Sequence, residues 1–170
     1  MLHQYIFDHY RAKQPQREVA FPRFDEVRSV LILFESDLIE KNDTIKAIAQ
    51  DLAQYDKDVV LWGYCPKKEI TSPILPQLRI VGTKDYNIFG VPKQQLIADL
   101  QKRQYDLLID LTQHQSLPLA YLAMYAKAHF KTGMAIQTGI HDLLISTPPQ
   151  DTPLFLYQQI VKYLNMIKPC

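Results

Sequence analysis

YDLLIDLT, residues 105–112, is an apolar run that closes abruptly on Asp110 and Thr112. A run without regular polar alternation fits a strand buried on both faces of a parallel sheet, with a polar residue emerging at its carboxyl end. Open α/β sheets hold their ligands outside that end. The stretch therefore predicts both a fold class and the place of a site, although one acid at a strand tip does not define a reaction.

Strand and helix signals alternate on either side of it. Ser29–Phe34 (SVLILF) reads as the first strand, with Glu35 and Ser36 at its carboxyl end. Asn42 has the character of an N-cap, and Ile45, Ile48, Ala49 and Leu52 form the apolar stripe of a helix that runs towards Tyr55. Asp58–Tyr64 (DVVLWGY) is the second strand; Pro66, Pro73 and Pro76 then make a loop, and Leu78–Val81 is the third strand. After Gly82 and Gly90, Pro92 falls in the first turn of a helix that carries Leu96, Ile97 and Leu100 inward.

Beyond YDLLIDLT, Ser116 and Pro118 open a helix whose Leu119, Leu122, Ala123 and Ala126 pack on the sheet. Phe130–Ile136 and Leu143–Ile145 are two further strands. Thr152 caps a closing helix with Pro153 at its first position and Phe155, Ile160, Val161 and Leu164 inward. At the other end, Leu2, Tyr5, Ile6, His9 and Tyr10 share one face of an amphipathic helix that Pro15 closes.

This order predicts a three-layer α/β/α sandwich with a Rossmann-like, mostly parallel sheet of about five to six strands. Residues 1–170 form a single domain, with a helix and linker over residues 1–27 packed on it. If the strands lie in the order 3-2-1-4-5, the first and fourth are neighbours whose helices leave on opposite faces. Glu35, Ser36, Asp110 and Thr112 then converge on one crevice, with His114 on the loop beside it.

Bulk properties narrow the function classes. A chain of 170 residues with 47% apolar and 22% charged residues is one folded domain. A net charge of +1 with no basic stripe argues against nucleic acid and anionic lipid as partners. MLHQYIFDHYRAK lacks the unbroken apolar core of a signal peptide, and no window approaches the length of a membrane span. Cys65 and Cys170 lack metal or disulfide spacing, so reduced thiols and a cytoplasmic location are expected.

Tyr105, Asp106, Ile109, Asp110 and Leu111, then the Ala-rich segment Ala120–Ala128, then Lys131–Gly133, resemble the amino-terminal half of heptosyltransferase-like glycosyltransferases of the GT-B type. In that half a Tyr-Asp, an apolar strand and an Ile-Asp-Leu precede an Ala-rich helix, then a basic residue and Gly entering the next strand. Tyr157, Ile160 and Tyr163 of the closing helix are a looser parallel. The resemblance implies a lone Rossmann-like half on the acceptor side, without the half that holds most of the sugar-nucleotide donor. The Gly-Asp that such enzymes often show after the first strand is here Glu35-Ser36-Asp37. LWGYCPKKE and DYNIFGVPK also resemble a family of small Bacteroidetes proteins classed as a domain of unknown function, which implies no activity.

Asp110 has the chemistry of a general base, or of an acceptor for a ligand hydroxyl. The structural role weighed against this is favoured: strand-end acids ordinarily accept backbone N–H groups of the loop that follows. Glu35 is a possible acid and base partner for Asp110, and His114 is the best-placed histidine, each set against an ordinary solvated loop residue. His129 and His141 complete no metal spacing, and neither a GxGxxG nor a GxxxxGK[ST] occurs, so no metal and no cofactor are expected. Cys65 near Lys67 and Lys68 lacks a positioned base and reads as a buried or merely adventitious thiol.

The expected function is accordingly a non-enzymatic binding module with no catalytic residue. It takes a small polar ligand at Glu35, Ser36, Asp110, Thr112 and His114, or a protein partner or second copy through terminal helices bearing Tyr5, Tyr10, Tyr157 and Tyr163. The alternative is an enzyme on sugars or sugar nucleotides, completed by self-association or a partner chain.

Overall fold

The computed structural model describes residues 1–36, 39–67, 77–134, 136, 139–146, 148 and 152–167, with 39–42 as backbone only. Asp37, Lys68, Pro73, Pro76 and Cys170 lie outside the described residues.

Strands β1 (Ser29–Glu35), β2 (Asp58–Tyr64), β3 (Leu78–Val81), β4 (Gln104–Asp110), β5 (Lys127–Met134) and β6 (Leu143–Ile145) form one 6-stranded sheet. Their order is β3-β2-β1-β4-β5-β6 and each neighbouring pair is parallel. Helices α1 (Leu2–Ala12), α2 (Ile39–Gln54), α3 (Gln94–Leu100), α4 (Leu117–Tyr125) and α5 (Pro153–Met166) cover it. The fold is a Rossmann-like α/β sandwich.

Side chains of a strand alternate between faces, so a strand apolar at every position serves two cores. Leu31 and Leu33 of β1 and Leu108 of β4 join Phe7, Leu96, Leu100, Leu119 and Leu122 on the face of α1, α3 and α4. Val30, Ile32, Leu107 and Ile109 join Ile45, Ile48, Leu156 and Ile160 on the face of α2 and α5. The helices after β1 and β4 thus leave on opposite sides, and a crevice opens between those strands at their carboxyl ends.

Several elements differ from the sequence expectation. Helix α2 starts at Ile39, which puts Asn42 inside the helix rather than at its cap. Pro92 lies before the first turn of α3 rather than in it: Lys93 is the N-cap, and Pro92 bridges Tyr86. Strand β5 starts at Lys127, paired with Gln104, and stops at Met134.

The buried face of α1 centres on Phe7, whose ring meets Tyr121 of α4 edge-on at 4.9 Å, while Leu2 and Tyr5 are 60% and 72% exposed. On α5 Leu156 takes the inward position expected of Phe155, which is 38% exposed. Thr152 does cap α5, accepting from the Phe155 N–H at 3.3 Å.

Polar ties fix the linker and the sheet's amino-terminal end. Lys57 is buried and donates to the carbonyls of Phe24 at 2.6 Å and Val27 at 2.9 Å, with its ammonium 4.4 Å from the centre of the Phe24 ring. Asp106 accepts the N–H groups of Arg28 and Ser29, both at 2.9 Å, and the Ser29 hydroxyl at 3.0 Å, which stitches β4 to β1. Among the described residues no helix is long and apolar enough to cross a membrane.

Candidate functional site

Leu33 of β1 lies in register with Asp110 of β4, so Glu35 and Ser36 leave β1 just beyond Asp110. Asp110 is buried, and both of its oxygens are occupied. Oδ1 accepts the Thr112 N–H at 3.0 Å and also the Thr112 hydroxyl. The expected loop amide is thus one of its partners. Oδ2 meets Nε2 of His141 at 3.0 Å.

His141 was not singled out from sequence. It sits in the loop between β5 and β6 with its side chain 3% exposed. Gly133 of β5 makes its place: a β-carbon there would stand 2.7 Å from Nε2. The other ring nitrogen, Nδ1, is buried without a hydrogen-bond partner among the described residues. A buried polar atom in that state is uncommon and marks a site able to accept a ligand or a water.

The two acids expected to work together are held by different histidines. Glu35 meets Nδ1 of His114 at 3.3 Å, and His114 is 72% exposed. Ser36 is buried on the β2 side, where its N–H donates to the Tyr64 carbonyl at 2.9 Å.

Asp110, Thr112, His114, Ser116 and His141 line an inner pocket of about 10 Å³. That is room for one water molecule at most. Outside it, a cleft of about 490 Å³ lies between the start of α1, Tyr64 and the start of α4, and Ser116 belongs to both walls. Gln115 of that wall reaches Gln4 of α1 at 3.4 Å.

A different polar group lies along β5. Arg17 donates to the carbonyls of Ala128 at 3.1 Å and His129 at 2.9 Å, and forks onto Asp142 at 2.5 and 2.6 Å. Asp142 also accepts the Lys131 N–H at 2.8 Å. The Lys131 ammonium, itself buried, donates to the carbonyls of Ala123 at 2.6 Å and Met124 at 3.1 Å near the carboxyl end of α4. A cation is favoured there by the helix dipole. Burial first, and Arg17 second, bring its pKa down to about 8.

Among the described residues no group of three or more His, Cys, Asp or Glu side chains could hold a metal ion. Cys65 is a free, buried cysteine next to Tyr64, its backbone N–H held by the Val81 carbonyl at 2.9 Å.

The geometry defines a Rossmann-like α/β domain with a polar cluster where its sheet reverses order. The chain belongs to DUF6913, a family of unknown function whose sequence pattern matches residues 2–167. No curated protein matches it in sequence. Among solved structures it is similar to E. coli heptosyltransferase WaaC with ADP, with a TM-score of 0.49 and 13% identity over 78% of this chain and 46% of that one. The chain thus spans under half the length of that protein.

Proposed function

We propose that the chain is a non-catalytic binding module that takes a small, hydroxyl-rich ligand in the crevice at the carboxyl ends of β1, β2 and β4. The observation that carries this reading is the junction at Ser116, where the open cleft of about 490 Å³ meets the polar inner pocket. A cleft of that volume lies in the range of small-molecule sites, which orient their ligands through a few placed polar groups. Here those groups are the Glu35 and His114 pair at the rim and Ser116 and Thr112 further in. Ser36 supports the β1 end of the crevice.

Asp110 is better suited to shaping the floor than to moving a proton, because Thr112 and His141 already hold both oxygens. Nucleophilic catalysis is disfavoured on the same geometry. Among the described residues His141 Nδ1 holds no hydroxyl or thiol by a hydrogen bond, as a base of that kind requires.

Thermal denaturation of the chain with a panel of sugars, polyols, nucleosides and sugar nucleotides tests the reading. A saturable rise in Tm is expected for at least one compound, reduced in His114→Ala and in Ser116→Trp, without product formation. Absence of any shift far above plausible dissociation constants overturns ligand binding. Turnover that a folded Asp110→Asn variant loses replaces the module with an enzyme.

A further inference from the structure

We infer a second, separate ligand site: the cleft of about 660 Å³ between the linker at residues 14–19, the end of α4 and the 139–142 loop binds a small phosphate-bearing anion. Its volume is that of a small-molecule pocket. Its walls carry Arg11, Arg17, Lys127 and Lys131 against one carboxylate, Asp142. The whole chain has a net charge of only +1, so this positive excess is local.

Among the described residues the existing contacts leave the two lysines without a carboxylate partner. Arg17 and Asp142 neutralise each other through their two short contacts. Among the described residues Lys131 donates to carbonyls alone, so its buried charge has no hydrogen-bonded carboxylate there. Lys127 is exposed, and its ammonium has no ion pair or hydrogen bond among the described residues. Burying a cation without a counter-charge is unfavourable, and an anion in the cleft offsets that.

Arg11 is placed by the backbone opposite. Gly139 has φ +83°, in the region that favours glycine, and a β-carbon there would stand 2.8 Å from Arg11 Nη1. Only a bare backbone lets the guanidinium lie against this loop, while its Nη2 pairs with Asp8 at 3.1 Å. A guanidinium beside ammonium groups is the donor set that binds phosphate. His141, whose Nδ1 lacks a partner among the described residues, stands in the wall shared with the inner pocket.

The test titrates the full chain with pyrophosphate and with glucose 6-phosphate, followed by Tm and by calorimetry, against sodium chloride at matched ionic strength. Saturable binding is expected, with affinity falling roughly tenfold or more in a folded Arg11→Gln/Lys127→Gln double variant. Gly139→Ala is expected to weaken binding by displacing Arg11, whereas His114→Ala leaves it unchanged, which separates this site from the first. Failure of both phosphates to bind saturably overturns the inference. So does binding by the double variant as tight as that of the natural chain, or an equal Tm shift with chloride.

Discussion

His141 fits over Gly133 only because that residue has no side chain: a β-carbon would come within 2.7 Å of Nε2, the atom that Asp110 holds at 3.0 Å. Gly133→Ala is therefore expected to push the imidazole off Asp110 and to cost roughly 1–3 kcal/mol of stability in urea denaturation. In a His141→Ala background the same change should cost far less. Additive losses in that double-mutant cycle would show that the two residues act independently.

Asp110→Ala leaves the Thr112 N–H and His141 Nε2 without their acceptor inside the fold. The expected loss is roughly 1–3 kcal/mol or more, with faster amide exchange at Thr112. Asp110→Asn keeps one acceptor and should lose less. An Ala variant as stable as the natural chain would remove Asp110 from the scaffold.

Lys131 gives the stability a definite pH dependence. Its pKa is about 8 in the fold, mainly through burial, against 10.5 in the unfolded chain. Between those values the unfolded state binds more protons, so stability rises with pH, by as much as roughly 3 kcal/mol from this group. Lys57, also lowered by burial, adds in the same direction. Tyr121, raised to about 12 by burial, opposes it only once pH passes 10.0, the ordinary tyrosine value. Urea titrations from neutrality to that value should show the rise in the natural chain and a flatter profile in Lys131→Met.

Asp106 acts at the acid end. Burial works to raise its pKa, but hydrogen bonds from Ser29 and Arg28 outweigh burial and hold it below the ordinary 3.8. A depressed carboxylate contributes stability above its unfolded pKa and loses it as pH falls through the folded one. Asp106→Asn should lower stability at neutral pH and shrink the further loss on acidification, read by denaturation at a series of pH values.

On α1 the buried residue is Phe7, not Tyr5. Phe7→Ala is expected to cost roughly 3–5 kcal/mol and Tyr5→Ala only a few tenths, measured by thermal or urea unfolding. Equal costs would contradict the docking of α1 on Tyr121.

The parts of the fold legible in sequence are those with local causes. The apolar runs of β1 and β4, the turn residues around them and the Thr152-Pro153 start of α5 each carry their own signal, whereas the strand order entered only as a condition that the sheet meets. Helix α1 shows the limit. Apolar residues at positions 2, 5, 6, 7 and 10 admit two overlapping stripes, and only the Tyr121 ring, far along the chain, decides between them.

The site divides in the same way. Acceptance of the Thr112 N–H by Asp110 spans two residues and is predictable from its place at a strand end. His141 is 31 residues away and arrives through the loop after β5, so no spacing rule reaches it. Lys131 and Arg17 are likewise visible only when the carbonyls they bind are in place, although the Lys131 to Gly133 sequence had marked that strand.

Strand β6 pairs with β5 only from Thr132 to Met134, which leaves the first half of β5 at the margin of the sheet. Arg17 occupies the Ala128 and His129 carbonyls there, and Asp142 takes the Lys131 N–H. Backbone groups left open at such a margin are templates on which a second chain can add a strand. The linker from α1 therefore guards the protein against intermolecular sheet growth, and release of Arg17 from those carbonyls would turn a well-packed domain into a seed for aggregation.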